Sequence, residues 1–386
     1  EPPRAQSFTP PSWARVSQSD DDLPHRDHDV TRKHHNFWWI ELGGEGDSIH
    51  DSEKLRDELL RVAFGVWDHV KNRGDHGAEN WTLDWVGFLP GKRESRRCLG
   101  DHVLTANDIR EGGRFEDVAA YGGWPMDDHH PGGMRHPGKP TVFHGAPSPY
   151  GIPYRSLYSR NVRNLLFAGR NISATHMAMS STRVMATCSL MGQAVGTAAA
   201  IAAATGLSPR EVGEKALAEL QAALMNDDCR LPGLSREIPE PCRSARLSAS
   251  ENDPAPLRNG IDRPLDGQAN AWAGSPGSWI EYDFGAPRRL SSMRAVFDSD
   301  LNRERLGMRV NYPLDQPDQD LPPTLVDSFR LEVPDGDGGW RVVLSESDNS
   351  RRLVRRDLDV RTHMVRLVPE RTRGSERARI FAFEVR

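Results

Sequence analysis

Cysteine is scarce in this sequence, with only 4 among 386 residues. Cys98 and Cys188 stand in apolar surroundings, which predicts buried thiols. Cys229 and Cys242 flank a short loop, and the sequence leaves open whether they form a disulfide. There is no Cys-x-x-Cys pair and no His/Cys cluster with the spacing of metal ligands. We therefore predict no metal site.

The sequence also lacks any run of about 20 apolar residues, so no membrane span is expected. Basic residues are not in excess, and the net charge of -5 argues against a nucleic-acid binder. No signal peptide is recognisable, and the Pro- and Asp-rich start has the composition expected for the middle of a longer gene product. The sequence does not fix a localisation, although a secreted or periplasmic one is slightly favoured over a cytoplasmic one.

The chain is long enough for two or three domains. Its pattern of apolar and polar residues changes once, near residues 230–255. After this join come short segments in which apolar and polar residues alternate, separated by Gly, Pro, Asp and Asn turns. Alternation of this kind without a long helix predicts an all-β sandwich. Within it, Asp298 and Asp300 fit turn positions better than a calcium site.

Before the join, strand and helix patterns are mixed. Apolar residues at helical spacing predict a helix over 51–74, and Ser208 with Glu211 predicts a capping box at the start of another helix that runs to 227. The predicted strands are Asn36–Leu42, two segments within 81–105, the segment 118–124 and the segment 164–168. The Gly/Pro/His segment 125–140 has no periodicity and is predicted to be a loop.

The segment 164–200 carries the strongest signal. It contains a short strand, a turn at Gly169, a polar loop, and then a helix of small residues that begins near Met185. Free N–H groups at such a helix start can stabilise a negative charge or an electron-rich carbonyl. The structural alternative is a slim helix packed closely on a sheet, and Gly192 and Gly196 favour that interpretation for the helix itself.

Several segments of the first part resemble an FAD-dependent oxidoreductase family that includes xanthan lyase-like and glucose-inhibited-division-like proteins. They are LLFAGRNIS, SSTRVMATCSLMGQAVGTAAA, HHNFWWIELGGE, RDELLRVAFGVWDHVKN, ENWTLDWVGFLPGKRESRR and YGIPYRSLYSRNVRNLLFAGRN. The resemblance covers roughly residues 8–230. The segment that follows is similar to discoidin-like modules. The resemblance implies an α/β fold, made of an incomplete FAD-binding Rossmann-type domain plus a substrate domain, with a C-terminal jelly-roll or galactose-binding-like sandwich.

One element of that family is missing from these 386 residues. Enzymes of this kind hold the FAD pyrophosphate on a βαβ unit with a Gly-x-Gly-x-x-Gly motif, and LGGEGDS at 42–48 does not fit its spacing. The chain is then a fragment, a subunit whose partner polypeptide carries the N-terminal FAD-binding half, or a protein that has lost its flavin. We favour a fragment or a split protein.

The resemblance also implies site residues. The turn Gly169–Asn171 would meet the ribitol or phosphate end of FAD, and the helix start at 183–187 would lie at the pyrimidine edge of the flavin ring. The implied cofactor-binding residues are Gly169, Arg170, Asn171, Arg183, Val184, Met185 and Thr187.

Dehydrogenation of a C–H bond next to a hydroxyl also needs a base, and histidine suits that task at neutral pH. The candidate bases are His129, His130 and His176, with Asp127 or Asp128 to orient one of them. The DDHH segment could equally be a solvated surface loop or an adventitious metal site. The candidate substrate-binding residues are Arg93, Arg97, Tyr154 and Arg155. Strand alternation would place Arg93 and Arg97 on one face, with pairing to Glu94 and Asp84 as the structural alternative.

We therefore expect an FAD-dependent oxidoreductase, subunit or fragment, that dehydrogenates a polar, sugar-like CH–OH substrate. Its predicted parts are a substrate domain over 1–160, the end of the FAD-binding domain over 161–235 and the sandwich over 250–386. The alternative is a non-catalytic carbohydrate-binding or structural protein with a decayed oxidoreductase core. If the sandwich binds sugar, Trp272 and Asp262 are the residues expected on its loops.

Overall fold

The computed structural model describes residues 5–30, 37–74, 76–265, 267–301 and 321–386. Within them the chain forms two compact units, which divide between Leu217 and Ala218. Mixed helix and strand in the first unit and a large antiparallel sheet in the second agree with the predicted fold class. The predicted limits of the three domains stay predictions.

The first unit holds helices, two small strand pairs and much irregular chain. Its helices are α1 (Ser52–Asn72), α2 (Ala106–Arg110), α3 (His176–Thr182), α4 (Met185–Thr205) and α5 (Pro209–Lys215). Its strands are β1 (Val118–Gly122), β2 (Met126–His129), β3 (Thr141–His144) and β4 (Tyr150–Pro153), and β1 pairs with β4 and β2 with β3, both antiparallel.

Helix α1 confirms the predicted helix, and its valines Val62, Val66 and Val70 form one buried face. The aromatic segment 37–42 packs on that face, but it is not the predicted strand. Trp39 is buried there, and its indole nitrogen donates a hydrogen bond to the carbonyl of Asp27 at 2.9 Å. Burial against a helix therefore satisfies this apolar segment without any strand partner; Asn36 lies outside the described residues.

A close backbone approach fixes the N-terminal segment on α1. A Cβ atom added at Gly65 would lie 1.7 Å from the carbonyl oxygen of Arg15. The backbone of Arg15 also donates a hydrogen bond to the carbonyl of Arg61, one turn earlier, at 2.9 Å. Only a residue without a side chain leaves room for this contact.

Three further predicted strands, the two within 81–105 and the one at 164–168, do not form. Residues 81–103 form no strand, because their backbone makes hydrogen bonds to another loop and the two predicted segments do not pair with each other. The backbone N–H of Cys98, for example, donates to the carbonyl of Asn171 at 2.8 Å. The segment 164–168 makes a single bridge, Leu166 with Tyr158, and Leu165 is 42% exposed. The predicted loop over 125–140 is also wrong in part, since its first residues form β2 and pair with β3.

Helix α4 confirms the predicted helix of small residues. One face is buried at a helical period and packs toward β1, at Thr187, Met191, Ala194, Ala198 and Ile201. The opposite face is exposed, and a Cβ atom at Gly192 or Gly196 would meet nothing within 4 Å. By length and composition alone α4 could also cross a membrane, which is weak evidence because apolar helices of other kinds pass the same test.

The predicted capping box at Ser208 and Glu211 is present, and Ser208 accepts a hydrogen bond from the Glu211 backbone. The helix it starts is interrupted at Ala216, however. It ends as α5, and a separate helix, α6 (Leu217–Asn226), begins at the division between the units.

The second unit is built around one seven-stranded antiparallel sheet. After a short helix α7 (Glu240–Ser244), its strands are β5 (Arg246–Ala249), β6 (Trp272–Gly274), β7 (Ile280–Phe297), β8 (Val326–Pro334), β9 (Trp340–Glu346), β10 (Leu353–Thr372) and β11 (Ala378–Val385). Their order is β6-β11-β7-β10-β8-β9, with β5 on β7. The pairing between the long strands β7 and β10 shifts register twice. One end of β7 also pairs with β5 and the other end with β11.

The core of the second unit corrects two expectations. Trp272 is fully buried in β6, and Asp262 is buried in contact with Arg236 and Arg294, so neither is available to a sugar. Cys229 and Cys242 are unpaired, buried thiols, and the sulfur of Cys242 accepts a hydrogen bond from the backbone N–H of Val385 at 3.2 Å.

Candidate functional site

Five polar side chains, four of them named in the sequence analysis, meet beside β2. His129 lies between two carboxylates, with Nδ1 2.5 Å from Glu41 and Nε2 3.1 Å from Asp127. Glu41 also accepts from Arg93, and Asp127 accepts from Arg183 at 2.9 Å. We call these five residues the His129 cluster. Strand alternation explains the first contact, because Asp127 and His129 lie two residues apart on one face of β2.

The two carboxylates of this cluster favour the protonated form of His129. Burial lowers the pKa of His129, but hydrogen bonds to Asp127 and Glu41 outweigh it and raise the pKa above its ordinary value of 6.5. Burial raises the pKa of Asp127, but hydrogen bonds from His129 and Thr141 and the charge of Arg183 outweigh it, so that pKa is lowered. Both ring nitrogens of His129 therefore contact a carboxylate, which leaves neither of them open to a substrate proton.

A second group lies around His176, at the first position of α3. Its Nδ1 is 2.5 Å from Glu94, and its Nε2 is 3.5 Å from Asp128, longer than a good hydrogen bond. Glu94 also pairs with Arg97, and the side chain of His176 is 51% exposed. We call these four residues the His176 cluster.

The two clusters are built from neighbouring residues. Arg93 and Asp127 belong to the first, and the next residues along the chain, Glu94 and Asp128, belong to the second. Together they hold three arginines and four carboxylates, so a protonated His129 brings their formal charge to zero. Such a surface offers many donors and acceptors without a net charge, which suits neutral hydroxyl groups better than an anion.

Three predicted site residues are not brought to these clusters. Tyr154 is fully buried, and its hydroxyl donates to the carbonyl of Pro209 at 2.8 Å, so it cannot line a substrate cavity. Arg155 binds Asp117 through two hydrogen bonds of 3.0 and 3.1 Å. His130 stacks on His136 with ring centroids 3.5 Å apart. Arg93 and Arg97 do not share a strand face either, since no strand forms there, and they pair with Glu41 and Glu94.

The predicted cofactor segment has features that fit one side of a flavin. Gly169 has φ of 104°, and a Cβ there would meet only Asn171, at 3.4 Å, so the turn is open. The start of α4 has no side-chain cap at Val184, which leaves N–H groups of its first turn without a capping partner. The Nε atom of Arg183 is buried and has no hydrogen-bond partner among the described residues.

The other predicted cofactor residues differ in exposure. Met185 is 87% exposed at the start of α4, whereas Thr187 is buried on its inner face. Arg170 is half-buried in the open turn. An exposed methionine next to free N–H groups leaves the outer side of this helix start accessible to a bound group.

Sequence reasoning missed Glu41 and Thr141. Glu41 joins Arg93 to His129, and the Thr141 hydroxyl donates to Asp127 at 2.5 Å. Glu41 stands in an aromatic segment that indicated only burial. Thr141 lies opposite His129 in the β2–β3 pair, and this pairing was not predicted from the sequence.

The comparison with protein families identifies the class. The sequence model of the family described as FAD dependent oxidoreductase matches residues 6–224. The match spans more than half of the chain, and the chain belongs to this family, whose members depend on FAD. A comparison with curated proteins found no match.

Solved structures similar to part of the chain include carbohydrate-binding modules. The family 32 module from Streptococcus pneumoniae EndoD shares 13% identity, with 39% of this chain and 97% of that chain covered and a TM-score of 0.28. The module CpGH89CBM32-6 produced by Clostridium perfringens shares 12% identity, with coverages of 37% and 93% and a TM-score of 0.26. At this level the likeness says nothing about what the chain binds.

Proposed function

We propose that this chain is part of an oxidoreductase that removes hydrogen from a CH–OH group of a polar, sugar-like substrate. The observation that carries the proposal is the unbroken series of contacts from Arg183 through Asp127, His129 and Glu41 to Arg93. It joins the segment expected to hold the cofactor to the residues expected to hold the substrate. The balanced charge of the two clusters supports a neutral polyhydroxyl substrate.

FAD, when bound, would supply the hydride acceptor. The residues suited to hold one side of it are the open turn Gly169–Asn171, the uncapped start of α4 and Arg183, whose buried Nε lacks a partner among the described residues. Arg183 also fixes Asp127, so the position of His129 depends on the same arginine.

His176 is the residue we assign as the base. Its Nδ1 is placed to donate to Glu94, which leaves the Nε2 lone pair free to accept the proton of a substrate hydroxyl. A carboxylate on one ring nitrogen and an exposed second nitrogen is the arrangement that general bases need. His129, held from both sides, orients Glu41 and Asp127 and supplies positive charge.

A partner segment completes the proposal. The exposed face of α4 consists of small residues with open space above Gly192 and Gly196. A βαβ unit with the Gly-x-Gly-x-x-Gly motif would cover that face and bind the FAD pyrophosphate. It could be an upstream part of the same polypeptide or a separate chain.

The first experiment expresses the chain together with the coding region immediately upstream. We expect a complex that co-purifies with one flavin, seen by its visible absorbance, and that loses this absorbance when a suitable sugar or polyol is added without oxygen. Gly192→Phe should weaken the complex while the chain alone keeps its fold by circular dichroism. A folded complex without flavin would favour the non-catalytic alternative, and binding to lipid vesicles in place of a protein would overturn the assigned partner.

The second experiment tests the base. In the flavin-loaded complex, His176→Gln should lower the rate of flavin reduction by about 10²–10⁴-fold, the usual contribution of a general base. His130→Gln is the matched control, because His130 contacts His136 and neither cluster. A normal rate in His176→Gln together with a loss in His129→Gln would transfer the role to His129.

A further inference from the structure

Four metal-ligating side chains that belong to neither cluster converge beside the last turn of α1. Asp20, His28, His69 and His76 each offer one ligand atom, and these atoms all lie within 4.8 Å of one another. His69 is fully buried, and the side chains of His28 and His76 are 12% and 9% exposed. Neither the family nor the proposed oxidoreductase chemistry assigns a role to them.

The spacing of the four atoms is that of a small coordination shell. One oxygen of Asp20 lies 3.0, 3.4 and 3.5 Å from the Nε2 atoms of His69, His76 and His28. The Nε2 atoms of His69 and His76 are 3.2 Å apart. Ligands bound to zinc at about 2.0–2.1 Å in a tetrahedron lie about 3.3 Å from one another, which matches these four distances.

The surroundings support a cation in this position. His28 Nδ1 is 2.8 Å from the carbonyl of Arg26, a contact that places the ring proton on Nδ1 and leaves Nε2 with its lone pair. Asp27 and Asp29 line the same pocket, and with Asp20 their negative charge exceeds the single positive charge of Arg26, which also lines it. Asp20 is 67% exposed, so an ion can enter from solvent on its side.

The fold explains why no sequence motif indicates this group. Asp20 and His28 belong to the N-terminal segment, His69 to the last turn of α1, and His76 to the loop after it. No two ligands have the short spacing of a zinc motif. They meet because the segment 5–30 lies along α1, as the contact between Arg15 and Gly65 shows.

The geometry points to a binding site for one divalent first-row transition metal, with Zn²⁺ as the fitting ion, held by Asp20, His28, His69 and His76. Imidazole nitrogens and a carboxylate oxygen suit such ions. Four protein ligands leave no open position, which is the pattern of a structural site. The ion would tie the N-terminal segment to the end of α1, and this inference replaces the expectation that the chain has no metal site.

The test uses the full chain and does not involve flavin. The protein is stripped with a chelator and titrated with Co²⁺, whose visible absorbance reports tetrahedral coordination, and then with Zn²⁺. We expect one equivalent of metal per chain and a rise in the unfolding temperature of the first unit. Absence of uptake by the wild-type chain at micromolar metal, or an octahedral Co²⁺ spectrum, would overturn the site.

Variants locate the site. Asp20→Asn changes an exposed ligand, so the fold should persist, and the metal affinity should fall at least about tenfold, the lower limit for loss of even an outer-shell partner. His28→Gln should do the same. His50→Gln is the control, because the side chain of His50 is exposed and its Nδ1 lies 2.6 Å from Asp47, outside the proposed site. Equal affinity in Asp20→Asn, His28→Gln and the wild-type chain would disprove the assignment.

Discussion

The two units hold their buried charges in different ways. In the second unit, Arg236, Asp262, Arg294 and Glu384 form a cluster, the Arg236 cluster, whose side chains are all at most 8% exposed. In the first unit, the His129 cluster is more accessible and contains an imidazole. Guanidinium keeps its charge at any ordinary pH, whereas imidazole does not. The buried cations of the antiparallel sheet are therefore guanidinium groups, whose charge does not change with pH. The His129 cluster, where we propose that the reaction takes place, contains an imidazole whose charge can change.

The two carboxylates of the Arg236 cluster are not equivalent. Burial raises the pKa of Asp262, but the paired contacts of Arg236 and Arg294 outweigh it and lower that pKa. Burial raises the pKa of Glu384 above its ordinary value, and the same arginines offset it only in part. One oxygen of Glu384 has no hydrogen-bond partner among the described residues. Asp262 is the anchor of the cluster, and Glu384 is its weaker member.

The largest expected effect comes from removing the central arginine. Arg236→Leu leaves Asp262 and Glu384 buried without their main partner, and loss of one member of a buried ion pair costs about 3–5 kcal/mol. Equilibrium unfolding in denaturant should show this loss in the transition of the second unit. Arg246→Leu, at an exposed pair with Asp283, is the control and should change the free energy of unfolding by less than about 0.5 kcal/mol. Equal effects of both variants would remove the distinction between buried and exposed pairs.

A smaller, pH-dependent effect is expected in the His129 cluster. His129→Gln removes hydrogen bonds to two carboxylates and should destabilise the first unit by about 1.5–3 kcal/mol. Because the pKa of His129 is raised in the folded protein, its stabilisation is complete below the unfolded value of 6.5 and is lost as the pH rises through the folded value. The wild-type advantage in unfolding temperature should therefore shrink as the pH rises above about 6.5. An advantage that grows with pH would contradict the protonated state.

Glycine substitutions in α4 test its exposed face and should stabilise the isolated chain slightly. Alanine at position 192 or 196 meets no atom within 4 Å, and replacing glycine by alanine inside a helix gains about 0.5–1 kcal/mol. The control is Gly206→Ala at the end of the same helix. Gly206 has φ of 73°, so alanine should destabilise there. Destabilisation by Gly192→Ala would mean that the face is covered within the isolated chain.

The smallest expected effect is that of a reducing agent. Cys229 and Cys242 are unpaired and buried, and burial raises the pKa of both thiols, that of Cys229 to about 11 and that of Cys242 to about 12. Reductant should therefore leave the unfolding temperature of the second unit unchanged, and thiol reagents should label these cysteines only after unfolding. A clear drop in unfolding temperature with reductant would indicate a disulfide.

The predictions from sequence succeeded where local pattern decides the structure. The alternating segments after the join became β7 to β11, α1 formed at its apolar period, α4 formed as the predicted helix of small residues, and Ser208 capped its helix. They failed for the segment at 37–42, where the same aromatic residues that favour a strand are buried by α1 instead. A window of sequence cannot distinguish those two ways of covering apolar surface.

The candidate site divides in the same way. His129, His176, Arg93 and Arg183 were chosen by residue type and motif, and the structure brings each into one of the two clusters. Their catalytic and binding roles stay predictions. Glu41 and the four side chains around Asp20 could not be found, because they meet through the packing of distant segments and have no characteristic spacing.

At position 65 the side chain is a single hydrogen atom, and this has a consequence for related sequences. Any larger residue would drive the Arg15 carbonyl away by more than about 1 Å, since real Cβ atoms do not approach closer than 3.0 Å. Asp20 and His28 would move with it, while His69 and His76 would stay on the helix side. We therefore expect relatives that keep a glycine at position 65 to keep His28, His69 and His76 as well. In relatives with a larger residue at position 65, we expect other residue types at the three histidine positions.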